Sequence, residues 1–188
     1  MRLTVYTSSS DAVVDRYRDP VVELGRAMGA RGDELVYGGT AVGLMGVLAV
    51  SVREVGGRVT GVIPRLMVER GLEDRGCDEL VVTDGMAERK RIMIERADAF
   101  VALPGGFGTL EELFEVLTLK QLGHHHKPIV LLDVDGFFAP LLTMFDHLYA
   151  ERFARPEYAA LYHVAADVPA LLDHLDTYQP GDLPTKWF

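Results

Sequence analysis

A parallel α/β sheet covered by helices on both faces is the fold this sequence predicts, and three observations predict it. Short apolar runs rich in β-branched residues alternate with longer stretches of helical periodicity. The runs are apolar at successive positions, so each strand is buried on both faces. Several of the runs end in loops of Gly, Ser and Thr, and in such sheets ligands bind where strands end at their carboxyl side.

In chain order, Leu3 to Tyr6 reads as the first strand, ending in Thr7-Ser8-Ser9-Ser10. A helical pattern over 19–31 leads to the strand Glu34 to Tyr37, which runs into the loop Gly38-Gly39-Thr40-Ala41-Val42-Gly43-Leu44-Met45-Gly46. A helix over 41–55 precedes the strand Arg58 to Ile63, and Glu79 to Thr83 is the next strand. The pattern over 85–97 is helical. Ala99 to Leu103 is a strand that enters Pro104-Gly105-Gly106-Phe107-Gly108, after which a helix over 109–122 begins. Ile129 to Leu132, a helix over 137–151, a less apolar seventh run at Tyr162 to Ala165 and a helix over 167–177 complete the alternation. No linker, repeat or low-complexity segment interrupts it. Residues 1–188 therefore read as one Rossmann-like nucleotide-binding domain, with 179–188 as a tail that packs on the surface or against a partner.

Composition narrows the function. A chain of 188 residues with 48% hydrophobic residues can bury a sizeable core. Its net charge of −9 argues against binding nucleic-acid polymers or an anionic membrane, so an anionic ligand has to be held by a local pocket. The single cysteine, Cys77, excludes an internal disulfide and fits a reducing cytoplasm. The N-terminus is too short and polar for a signal peptide, and no apolar run approaches the ~20 residues of a membrane helix.

The Pro104-to-Glu112 segment is the most informative. Gly105, Gly106 and Gly108 bring backbone N–H groups close to a ligand, and a helix starting near Thr109 adds free donors and the positive end of its dipole. Together they form a phosphate cradle. Glu111 and Glu112 then fall in the first helical turn, where a phosphate would repel them. Thr109-x-x-Glu112 fits a capping box, which alone accounts for Glu112. The alternative is a carboxylate facing an electron-poor carbon, such as the anomeric centre of a ribose 5-phosphate unit losing its base.

On the helix over 85–97, Met86, Met93 and Ala97 share a stripe that contains Lys90 and borders Arg89, while Glu88, Arg91 and Glu95 lie opposite. Either Arg89 and Lys90 snorkel to water along their aliphatic stems, or they form a cationic wall at the carboxyl ends of the strands. Other signals are weaker. His124-His125-His126 cannot all reach one ion and reads as a polar helix terminus, so no metal is expected. Asp133 and Asp135 read as turn residues. Ser8, Ser9 and Ser10 show no nucleophilic triad and read as hydrogen-bond donors to a ligand.

These residues resemble the LOG family, the cytokinin riboside 5′-monophosphate phosphoribohydrolases, often mislabelled lysine decarboxylases. The signature Pro-Gly-Gly-x-Gly-Thr-x-x-Glu falls on Pro104 to Glu112 and Met-x-x-Arg-Lys on Met86 to Lys90, with further matches at Leu35 to Gly39, Gly43 to Gly46, Gly61 to Pro64 and Lys127-Pro128. Ser8 stands where the family often has glycine, and Ala87 where it often has histidine. The resemblance implies a homodimer that hydrolyses a purine nucleoside 5′-monophosphate to free base and ribose 5-phosphate, without a cofactor. It implies Arg89 and Glu112 as the catalytic pair. It implies Lys90, the Gly106-to-Thr109 loop, Glu111 and Thr118 as substrate contacts; Gly105, Ser9, Ser10, Gly38, Gly39 and Met86 are further candidates for the binding site. Molybdenum-cofactor carriers, which bind a phosphorylated pterin, share the glycine turn and are the alternative. A pyridoxal-phosphate decarboxylase would need a Schiff-base lysine, and none of the four lysines has that context.

Overall fold

The computed structural model describes residues 1–181 and 184. The end of the tail, Lys186-Trp187-Phe188, lies outside the described residues.

Seven strands form one sheet in which every pairing is parallel: β1 (Arg2–Tyr6), β2 (Glu34–Tyr37), β3 (Val59–Pro64), β4 (Glu79–Thr83), β5 (Ala99–Ala102), β6 (Ile129–Leu132) and β7 (His163–Ala165). Their order is β4-β3-β2-β1-β5-β6-β7, so the winding reverses between β1 and β5. The register there pairs Leu3 with Ala99 and Tyr6 with Ala102, which puts the loops after β1 and β5 side by side. That reversal is where open α/β sheets form a ligand crevice.

The helices are α1 (Arg18–Ala30), α2 (Gly43–Glu54), α3 (Arg65–Glu69), α4 (Met86–Arg96), α5 (Phe107–Gln121), α6 (Ala139–Ala150) and α7 (Val168–Thr177). Successive strand residues feed opposite cores, as the period of two requires. Leu3, Val5, Ala99 and Val101 pack with Leu24 of α1, Leu48 of α2 and Leu171 of α7. Tyr6, Phe100 and Ala102 pack with Met93 of α4, Leu113 of α5 and Phe145 of α6. The expected alternation holds, with boundaries within two residues for all but the unexpected α3, whose five residues are too few to show a period.

Side chains fix α4 at both ends. Glu88 turns back so that its carboxylate accepts from the Asp84 amide (3.0 Å) at the N-terminus. At the other end, Thr4 Oγ1 donates to the Met93 carbonyl (3.0 Å) and Lys127 Nζ to that of Ile94 (2.8 Å), satisfying two of the carbonyls that a helix end leaves open. Met93 is almost completely buried, which contributes about 2 kcal/mol and locks the rotation of the helix.

Candidate active site at the strand-order reversal

The loops after β1, β2 and β5 border a cleft of about 620 Å³. Thr7 Oγ1 donates to the Pro104 carbonyl (3.1 Å), joining two of these loops across the reversal. Two helix N-termini open towards the cleft, and they differ. At α2 the Gly43 amide donates to Asp11 Oδ1 (2.9 Å) and the Met45 amide to the Ser8 carbonyl (3.1 Å), so this end is already capped. Gly43 has φ +62°, and a Cβ on it would stand 2.5 Å from the Ser9 backbone, so only glycine lets the β1 loop lie on this helix.

At α5 no side chain caps the helix. Gly106 is the N-cap, and the first intrahelical bond runs from the Leu110 amide to the Gly106 carbonyl (3.1 Å). The amides before it are the free donors of this helix end. A Cβ on Gly106 or Gly108 would meet nothing within 4 Å, so the space around these amides is open. Gly105 serves another purpose: a Cβ there would stand 2.1 Å from Thr109 Oγ1, so its absence lets the buried Thr109 fold beneath the turn.

The helix therefore begins at Phe107, not Thr109, and the capping box that the Thr109-x-x-Glu112 spacing allowed does not form. Glycine at the first positions costs little, because those amides have no intrahelical partner to lose. Glu111 and Glu112 move into the second turn. The Glu112 side chain turns inward, where Oε1 accepts from Arg89 Nη1 at 2.9 Å, and each side chain is only 5% exposed. Arg89 also donates through Nε to the Val62 carbonyl (3.0 Å) and lies against Gly38, where a Cβ would stand 2.2 Å from Nη2. A buried guanidinium with these fixed partners is not snorkelling. Burial pushes the Glu112 carboxyl above the usual carboxylate range despite the pull of Arg89. The cleft thus sets a buried, hydrogen-bonded carboxylate close to an open pole of backbone donors. That arrangement can stabilise a cationic carbon or polarise a water next to a bound anion.

The candidate residues separate into groups. Ser9, Ser10, Met86, Arg89, Gly106, Phe107, Gly108, Thr109, Glu111 and Glu112 line the cleft. Gly38 and Gly39 do not; they shape it from below, Gly38 under Arg89 and Gly39 (φ +72°) against Ile63 of β3. Lys90 departs from the expected cationic wall: its ammonium pairs with Glu111 and with Glu115 (3.1 Å), both on α5. Thr118 is exposed and borders a separate apolar hollow between α5 and α6. Seven residues along the helix from Glu111, it shares a face with that residue but sits about 10 Å further from the cleft. Asp11, Met67 and Leu72 also line the cleft and were missed, since Asp11 and Leu72 come from loops without a motif and Met67 from α3, too short to show a period.

The remaining polar signals are structural. His125 Nε2 donates to the Val116 carbonyl (3.0 Å) and Nδ1 accepts from the Lys127 amide (3.2 Å), so the ring is neutral, and burial draws its pKa down to about 4. Asp133 Oδ1 accepts from the Phe138 amide (2.7 Å), a turn bond that leads into α6.

Comparison with known proteins places the chain in a family. The family model described as "Possible lysine decarboxylase" matches residues 45–175. The "Probable cytokinin riboside 5'-monophosphate phosphoribohydrolase LOGL9" of Oryza sativa subsp. japonica is 45% identical over 95% of this chain and 79% of its own length. The cytokinin riboside 5'-monophosphate phosphoribohydrolase LOG of the same organism is 42% identical over 95% and 74%. Among solved structures, the molybdenum cofactor carrier protein of Chlamydomonas reinhardtii superposes with a TM-score of 0.71 at 26% identity, covering 93% of this chain and 95% of that one. A model match over most of the chain, with relatives of this identity along nearly all of it, makes the conclusion plain: this protein belongs to the LOG family of cytokinin riboside 5′-monophosphate phosphoribohydrolases.

Proposed function

We propose that this protein hydrolyses the N-glycosidic bond of a purine nucleoside 5′-monophosphate of the cytokinin type, releasing the base and ribose 5-phosphate. One observation carries the reading: the buried Arg89–Glu112 pair stands beside the uncapped N-terminus of α5. The 5′-phosphate rests on the amides of Phe107, Gly108 and Thr109. The flat base lies on the apolar part of the cleft, which Met45, Met67 and Leu72 line. As the C1′–N bond breaks, its electron pair leaves with the base and C1′ becomes cationic. Glu112 faces that charge and takes a proton from the attacking water, while Arg89 keeps the carboxylate in place. Ser9 and Ser10 supply hydroxyls to the ligand, and Met86 closes the wall next to Arg89.

The phosphorylated pterin of the carrier proteins would use the same glycine turn. It gives no task to a buried acid–guanidinium pair, so the hydrolytic reading stands ahead. The protein acts as a homodimer in the cytoplasm: Phe153 (84% exposed), Met144 and Phe114 leave an apolar face around the α5–α6 hollow, and Cys77 is unpaired.

Purified protein given AMP, or its N6-isopentenyl derivative, should yield base and ribose 5-phosphate by chromatography with no added metal or cofactor. Glu112→Gln should bind nucleotide and fail to turn it over. Full activity in that variant, or tight pterin binding with no hydrolysis by the wild type, would overturn the reading. Sedimentation of the wild type and of Phe153→Asp tests the dimer; an unchanged monomer in both would refute it.

A further inference from the structure

The connection between β3 and β4 is more than a crossover. Met67 of α3 and Leu72 of the segment that follows it form part of the apolar wall of the cleft. Little main chain secures it. The Ala41 amide donates to the Leu72 carbonyl (3.1 Å) and the Asp74 amide to the Gly39 carbonyl (2.8 Å), with one isolated bridge between Thr40 and Glu73. A pairing this short is not stable on its own in water.

The Asp74 side chain supplies what the main chain lacks. It is 5% exposed. Oδ2 accepts from Tyr37 Oη (2.7 Å) at the end of β2 and from Arg53 Nη1 (2.7 Å) on α2, and Oδ1 accepts from the Gly76 amide (2.9 Å). Three parts of the fold meet on one carboxylate two residues from Leu72. Burial alone would raise its pKa, but Arg53, Tyr37 and Gly76 together hold it below the usual carboxylate range.

We infer that Asp74 is a positioning residue for substrate specificity: by fastening the Leu72 wall to β2 and α2 it sets the affinity for the base and leaves the grip on ribose 5-phosphate unaffected. The inference rests on the hydrolytic reading, in which base and phosphate occupy opposite parts of the cleft. The phosphate end has its own anchor, since Thr7 holds Pro104 and α5 packs through Leu113 into the core.

The test compares the wild type with Asp74→Ala and with Tyr37→Phe, which removes only one of the donated bonds. The KM for AMP should rise about tenfold in Asp74→Ala, equivalent to about 1.4 kcal/mol of binding, with kcat within about twofold. Inhibition by adenine should weaken to the same extent, and inhibition by ribose 5-phosphate should not change. Tyr37→Phe should move the same quantities in the same direction by less, and it remains informative if Asp74→Ala does not fold. Equal weakening of both inhibitors, or an unchanged KM in both variants, overturns the inference. Lack of AMP turnover by the wild type would instead refute the hydrolytic reading, so the two failures are distinct.

Discussion

Gly38→Ala perturbs the proposed catalytic pair without removing a polar atom. The added methyl would stand 2.2 Å from Arg89 Nη2 and 3.1 Å from Met45 Sδ, where ordinary contact begins near 3.4 Å. The guanidinium must therefore retreat by about 1 Å. It has little freedom to do so, because Nε is bonded to the Val62 carbonyl at 3.0 Å and Nη1 to Glu112 at 2.9 Å. Losing one of these bonds to a charged group costs about 1.5–3 kcal/mol. Misplacing a reacting group by such a distance costs about 100-fold in rate. The assay is base release from AMP at saturating substrate together with a urea denaturation curve. The expected outcome is a fall in kcat of about two orders of magnitude and a lower urea midpoint. A variant with wild-type kcat would show that the position of Arg89 is immaterial to the chemistry.

Gly106→Ala makes the opposite case: its Cβ meets nothing within 4 Å but would enter the proposed phosphate cradle. Stability should be unchanged while KM rises at least about tenfold; an unaltered KM would place the phosphate elsewhere. In the proposed mechanism the raised pKa of Glu112 should set the pH profile. If its ionised form is the active one, kcat/KM falls with acidity through a pKa above the ordinary carboxylate value, and an acid limb at or below that value would contradict the assignment. Lys120, 4% exposed and bonded to the Leu161 carbonyl (2.9 Å), tests the core. Burial draws its ammonium down from 10.5 to about 8, so the folded protein gives up this proton before the unfolded chain does. Its contribution to stability therefore rises as the pH climbs from about 8 towards 10.5. Lys120→Met should lose that rise, as urea midpoints at two pH values would measure; parallel behaviour of the two proteins would refute it.

Much of this was legible in the sequence, for physical reasons. Runs such as Ala99-Phe100-Val101-Ala102, buried on both faces, can only be central strands of a covered sheet. Glu88, Arg91 and Glu95 were legible as the solvated side of α4, and Arg91 does pair with Glu95 at 2.7 Å. The start of α5 was misread because glycines signal a turn in sequence but are cheap at a helix N-terminus, and that shift of two residues carries Glu112 from a capping position to the interior. Arg89 and Lys90 looked alike as cations on an apolar stripe. Only the packing of α4 on α5 decides that one meets Glu112 inside and the other Glu111 and Glu115 outside. Asp74 was invisible, since its partners Tyr37 and Arg53 are remote in sequence and no local pattern links them.

Among the described residues lining the cleft, Arg89 is the sole cation, and its Nε and Nη1 already bond to Val62 and Glu112. In the proposed reading, an incoming phosphoryl group is gripped chiefly by the main-chain amides at the start of α5. Alanine scanning, which trims side chains, would pass over the residues that matter most to this grip. They are revealed only by adding atoms to them, and sequence drift there is policed by bulk instead of by chemistry.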